Sequence, residues 1–259
     1  MRKQYLCIFL LLFFLSSCAD ADYDLITIAE VIDGDTLALA NGRHLRLIGL
    51  DTPETKKKTA EGFVDDPAPF SLEAARFTRE LAQGASCRVE FDLEKEDRYR
   101  RLLGYCFIQT EGSPEIFLNE QLLAQGYAVL YTYPPNTKYV DRFVAAQRLA
   151  RREKKGLWGG YEVIAPHEAG AFLGQIRTVR GRVVSTHHSP KVILLNFGGD
   201  YRTDFSVAIF KNSFEYFHKQ GIVPEVFYKD KTVSVSGRIR EYNGPEIIAN
   251  IPEEIEVIE

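Results

Sequence analysis

The chain has 259 residues, 45% of them hydrophobic and 26% charged, a globular balance that excludes a disordered, collagen-like or polytopic membrane protein. Its 32 basic and 36 acidic residues leave a net charge of −4, which excludes a strongly basic coat for nucleic acid but not a discrete phosphate-binding cleft. The length suits one large domain or two small ones.

Residues 1–17 read as an export signal: Arg2 and Lys3 precede an apolar run from Leu6 to Leu15, followed by Ser16, Ser17 and Cys18. Such a run rises about 15 Å as a helix, too short to span a bilayer. Leu15-Ser16-Ser17-Cys18 resembles a bacterial lipobox. That resemblance implies cleavage before Cys18, lipid on its thiol, and anchoring at a bacterial membrane facing the periplasm or the exterior. The alternative is cleavage slightly downstream, giving a soluble secreted protein. Residues 18–24 form a polar tether.

Strands are expected over 25–31, 36–39 and 44–50, with Asp33-Gly34-Asp35 as a turn and Asn41-Gly42 as a tight hairpin turn. Residues 56–69 read as a polar loop. A helix is expected over 71–83, with Ser71 as cap, Leu72, Ala75, Phe77 and Leu81 as apolar positions and Gly84 as stop. Strands are expected at 87–93 and 102–108 around a charged loop, then helices at 116–125 and 138–155. The second of these is basic and reads as a solvated face, with Leu157-Trp158 packing it down. Three strands, a helix and two strands is the element order of an OB barrel. Residues 25–160 are therefore expected to form one, with three helices, and residues 161–174 a linker. The order repeats over 175–259, with strands at 178–185, 191–197 and 204–210, a helix at 212–219, and strands at 232–241 and 246–251. The expected fold class is mainly β with α, two OB barrels in tandem.

Asp33, Asp35, Asp51 and Glu54 cluster at strand ends that a hairpin brings together, and Pro53 holds Thr52 extended so that its carbonyl has a fixed direction. Carboxylates and a carbonyl without Cys or His suit a hard cation, Ca²⁺ or Mg²⁺, better than zinc. Arg46 lies in an otherwise apolar strand, where a charge needs a partner or a site. Arg101 closes the charged loop before another apolar strand, and its planar fork matches phosphate oxygens. A cation, two arginines and a spare carboxylate are the parts that hydrolytic phosphoryl transfer requires.

Over residues 25–158 the sequence resembles the staphylococcal nuclease (thermonuclease) family. The stretches that carry the resemblance are Val31 through Thr36, Arg46 through Glu54, Asp97-Arg98-Tyr99-Arg100-Arg101, and the last helix with Leu157-Trp158. The resemblance implies a Ca²⁺-dependent phosphodiesterase acting on DNA and RNA, cleaving the 5′ O–P bond to leave 3′-phosphate ends; Mg²⁺ fits less well. It further implies that Asp35, Asp51 and the Thr52 carbonyl hold the metal. Glu54 is then the general base or water-orienting group, Arg46 and Arg101 clamp phosphate, and Tyr99 and Tyr131 flank the nucleotide. Arg100 departs from the family, which commonly has Gly there. The rival function is a surface nucleic-acid-binding or adhesion protein built on an inactive nuclease barrel.

Pairing Phe91 with Leu102 would set Cys87 opposite Cys106, giving a cross-strand disulfide, with two buried thiols as the alternative. His187-His188 reads as an exposed loop pair with no acidic partner. Arg202, Phe205, Arg240 and Tyr242 could clamp single-stranded nucleic acid, as OB domains often do. Protein docking and plain spacing are equally open for the C-terminal half.

Overall fold

The computed structural model describes residues 23–59, 61–200 and 202–258. The expected export signal, the expected Cys18 lipid site and most of the expected tether lie outside the described residues. No helix among the described residues is long and apolar enough to cross a membrane.

The first half is built on β1 (Tyr23–Asp33), β2 (Thr36–Leu39), β3 (His44–Leu47) and β4 (Gly49–Asp51). A small hairpin, β5 (Lys56–Thr59) and β6 (Gly62–Asp65), precedes α1 (Ser71–Ala82). Then come β7 (Ser86–Glu96), β8 (Leu102–Ile108), β9 (Ile116–Phe117), α2 (Leu118–Ala124), β10 (Val129–Tyr131), α3 (Val140–Arg152) and α4 (Leu157–Gly160). β1 pairs antiparallel with β2 and β7, β2 with β3, and β7 with β8, while β3 runs parallel to β8. Those five pairings close the OB barrel. Ile28, Leu37, Leu45, Leu47, Val89 and Ile108 fill it, and α2 and α3 cover one end through Leu122, Leu123 and Phe143.

Local chemistry departs from expectation at four places. Residues 56–65 are a hairpin, not a loop. Ser71 does not cap α1: the cap position is Phe70 in the left-handed region, and the Ser71 hydroxyl has no partner. Leu72, one of the expected apolar positions, is exposed. The expected disulfide is absent, because β7 and β8 pair two residues out of the assumed register: Phe91 faces Gly104, Cys87 faces Ile108 and Cys106 faces Val89. Cys87 and Cys106 are buried free thiols whose side chains meet across the strands. Gly104 permits this register, since a Cβ there would lie 2.9 Å from the Val89 side chain.

The second half contains β11 (Val163–Ile164), a 3-10 segment (Pro166–Phe172), β12 (Ile176–Arg182), β13 (Ser185–His188), β14 (Val192–Asn196) and β15 (Ser206–Phe210). After a 3-10 turn come α5 (Phe214–Lys219), α6 (Pro224–Phe227), β16 (Thr232–Arg238), β17 (Arg240–Glu241), β18 (Pro245–Ile248) and β19 (Ile255–Ile258). β12 with β13 acts as one bent strand: β12 pairs with β16 and β13 with β14. β14 pairs with β15, β15 runs parallel to β18, and β18 pairs with β17. This is the cyclic pairing order of the first barrel, around a separate core that includes Val179, Leu195, Phe205, Val207 and Val233. The stretch expected as a linker pairs β11 with β12 and buries Ala169 in that core. His187 and His188 lie on β13, and His188 does have an acidic partner, Glu225, at 2.6 Å.

The two halves share a continuous contact. Val129, Leu157 and Ile176 form an apolar cluster flanked by Phe70, Trp158 and Tyr161. The basic helix α3 is not simply a solvated face, because Arg151 bonds Ser236 at 2.7 Å and Glu256 at 3.0 Å and stacks over Trp158. Glu254 links both halves: its carboxyl oxygens accept N–H bonds from Thr132 (2.6 Å) and Asn250 (2.7 Å). Burial pushes the Glu254 carboxyl up to about 8. The folded protein therefore holds a proton that the unfolded chain, titrating near 4.3, has released. The stability this proton supplies is complete below about pH 4 and is lost as pH rises to about 8. The melting midpoint of the wild type is expected to fall across that window, and Glu254→Gln, followed by thermal melts from pH 5 to 8, is expected to flatten the slope.

Candidate active site

The site is assembled by close approaches that small residues permit. In the β1–β2 turn Gly34 packs on Thr52, and a Cβ at Gly34 would lie 2.8 Å from the Thr52 hydroxyl. Thr78 of α1 donates to the Gly34 carbonyl at 2.7 Å and fixes the turn from below. Asp35 then accepts from the Thr52 N–H (3.0 Å) and hydroxyl (2.9 Å). Gly49 starts β4 at φ +85°, and a Cβ there would lie 2.3 Å from the Phe143 ring. Gly49→Ala adds both left-handed backbone strain and this clash. It is expected to destabilise by about 2 kcal/mol or more in denaturant titration.

Arg46 is the pivot. The β2–β3 register sets it opposite Thr36. Its guanidinium pairs with Asp35 through one nitrogen and with Asp51 through the other, at 3.0 Å. Its side chain is only 15% exposed, so the two carboxylates are what make its burial tolerable. Glu54 lies at the edge, its side chain half exposed. Loss of hydration in the cleft raises its pKa, as do the charges of Asp35, Asp51 and Asp33. They push it up to about 8 against the pull of Arg238. The Asp33 carboxyl is raised too, by burial and by Asp35.

Arg238, from β16 in the second half, reaches this cluster. Its Nε donates to Asp51 at 3.0 Å and its Nη2 donates to the Thr52 carbonyl at 2.8 Å. The same Nη2 lies 3.2 Å from Glu54. The signal that drew attention to Arg46, a charge in an otherwise apolar strand, is absent at Arg238, because Thr232–Arg238 alternates Val with Thr and Ser. Arg240, two residues on, lies over the Tyr131 ring at 5.8 Å and donates to its hydroxyl at 3.4 Å.

The other expected residues are placed less centrally. Arg101 precedes β8, and the parallel register pairing Arg46 with Leu103 puts Arg101 two residues earlier on the same face. Its Nε is held by Asp97 at 2.8 Å, and it lies 5.6 Å from the exposed Tyr99 ring. Arg100 has φ 65°, a left-handed conformation that favours glycine. Arg100→Gly is expected to raise stability by about 1 kcal/mol in denaturant titration. Phe205, proposed to stack on bases, is buried in the second core, whereas Tyr242 is exposed.

Asp35, Asp51, the Thr52 carbonyl and Glu54 supply oxygen alone, the donor chemistry of a hard cation. Among the described residues no group of three or more His, Cys, Asp or Glu side chains is placed to hold a metal ion. Arg46 bridges Asp35 to Asp51, and Arg238 bridges Asp51 to Glu54. The oxygens fit a divalent ion in kind, with guanidinium groups holding them.

Residues 44–160 match the staphylococcal nuclease homologue family. The chain is 35% identical over 147 residues to the thermonuclease of Staphylococcus hyicus, covering 56% of this chain and 79% of that protein. It is 32% identical over 148 residues to the thermonuclease of Staphylococcus intermedius, covering 56% and 82%. A third relative, endonuclease YncB of Bacillus subtilis strain 168, is 34% identical over 137 residues, covering 51% of this chain and 61% of that protein.

Proposed function

The chain belongs to the staphylococcal nuclease family and is a nuclease, and from that premise we propose that it is a Ca²⁺-dependent enzyme hydrolysing both DNA and RNA, tethered to a bacterial membrane through Cys18. One observation carries the reading: Asp35, Asp51, Thr52 and Arg46 join one cluster directly, and Glu54 joins it through Arg238 at 3.2 Å. An inactive adhesion barrel has no need to keep buried acids and a buried arginine in register.

Asp35, Asp51 and the Thr52 carbonyl are the residues that would hold Ca²⁺, which when bound supplies positive charge at a phosphate oxygen. Arg46 and Arg101 share one face of the β3–β8 pair and balance charge that builds on the remaining phosphate oxygens. In its ionised form Glu54 orients a water at the edge of the acid cluster and takes its proton as the oxygen bonds to phosphorus. The P–O5′ bond then breaks and the leaving O5′ takes a proton from solvent water, leaving a 3′-phosphate on one product and a 5′-hydroxyl on the other. Tyr99 and Tyr131 flank the nucleotide. We read the second half as an OB-like module that binds single-stranded nucleic acid or another protein; its exposed Tyr242 supports the first of these.

End analysis of labelled DNA and RNA digests tests the chemistry: 3′-phosphate ends from both polymers are expected, and 5′-phosphate ends would exclude it. Metabolic labelling with palmitate tests the tether: label lost in Cys18→Ser supports it, and an unlabelled wild type excludes it.

A further inference from the structure

The second half contributes a residue to the site that no requirement of barrel closure explains. Arg238 ends β16 opposite Ile176, and nothing in that pairing asks for a charge. Its side chain is only 14% exposed, yet each of its three nitrogens has an acceptor. Nε and Nη2 serve Asp51 and the Thr52 carbonyl, and Nη1 donates to the Gly174 carbonyl at 3.0 Å. Two of these acceptors, Asp51 and Thr52 O, are the oxygens that the proposed function gives to the cation. The Glu54 carboxylate stands beside the same nitrogen. Each of these oxygens keeps a second lone pair, but a guanidinium and a divalent ion drawn to the same oxygens are like charges that repel at such separation.

We propose that Arg238 is an affinity-determining residue of the nuclease site, an internal cation from the second half that competes with Ca²⁺ for Asp51 and the Thr52 carbonyl. This rests on the calcium reading above. The guanidinium neutralises the acid cluster and ties the two halves together; binding of the ion releases it. Because competition is reciprocal, the ion weakens the Arg238 contact as much as that contact weakens the ion. Ion affinity is thereby coupled to how tightly the second half closes over the cleft.

Calorimetric titration of Ca²⁺ into the full chain tests this without relying on activity. Arg238→Gln is expected to bind Ca²⁺ at least tenfold more tightly than the wild type. Arg238→Lys, which keeps the charge but not the fork, is expected to lie between them. In the unaltered protein, hydrogen-exchange protection of residues 236–240 is expected to fall on adding Ca²⁺. Equal or weaker binding by Arg238→Gln, or unchanged protection in the calcium-bound wild type, would overturn the proposal. Absence of Ca²⁺ binding in the wild type and both variants, as in an Asp51→Ala control, would overturn the calcium reading and the competition with it.

Discussion

Replacing Glu54 with glutamine is expected to lower turnover on single-stranded DNA about 10²–10⁴-fold, the usual worth of a positioned general base. Circular dichroism is expected to be unchanged. The side chain is half exposed at the cleft edge, and its bond to Arg238 is one of several that Arg238 makes. Glutamine keeps the shape and a carbonyl oxygen for Arg238 but cannot take a proton from water. Loss of activity without loss of fold is therefore the signature of a chemical role.

Arg46→Ala is expected to fail in both respects. Catalytically it removes a donor to the phosphate, worth about 10²–10³ in turnover. Structurally it leaves Asp35 and Asp51 without their shared cation at the bottom of the cleft, where breaking a buried pair costs about 3–5 kcal/mol. Denaturant titration should show that loss at pH 7. Arg101→Ala, at a half-buried position with its own partner Asp97, should lower turnover with little change in stability.

The acid and arginine cluster was legible because each member breaks a local rule. Arg46 puts charge in an apolar strand, Asp33-Gly34-Asp35 forces a turn, and Pro53 constrains Thr52; all three lead to the observed cluster. The barrel was legible from element order, since α1 between β3 and β7 leaves few ways to pair five strands. Register was not. The assumption that Phe91 faces Leu102 missed by two residues, because a bulge in β7 between Phe91 and Glu96 adds residues that the pattern of side chains does not announce. Ser71 was read as a cap from its type, but the left-handed Phe70 enters the helix instead, held by packing of its ring against Tyr161 at 5.2 Å. Arg238 was missed because its strand lies some 185 residues from Asp51, and the contact exists only through the packing of one half on the other.

The most direct test is digestion of single-stranded DNA by the purified chain with Ca²⁺, with Mg²⁺ or with chelator, run beside Glu54→Gln. Rapid cleavage with Ca²⁺, little with Mg²⁺ and none with chelator is expected, with the variant slow in every lane. Cleavage that survives chelation, or that the Glu54 substitution leaves untouched, would contradict the assignment of this cleft as the place where the phosphodiester is broken.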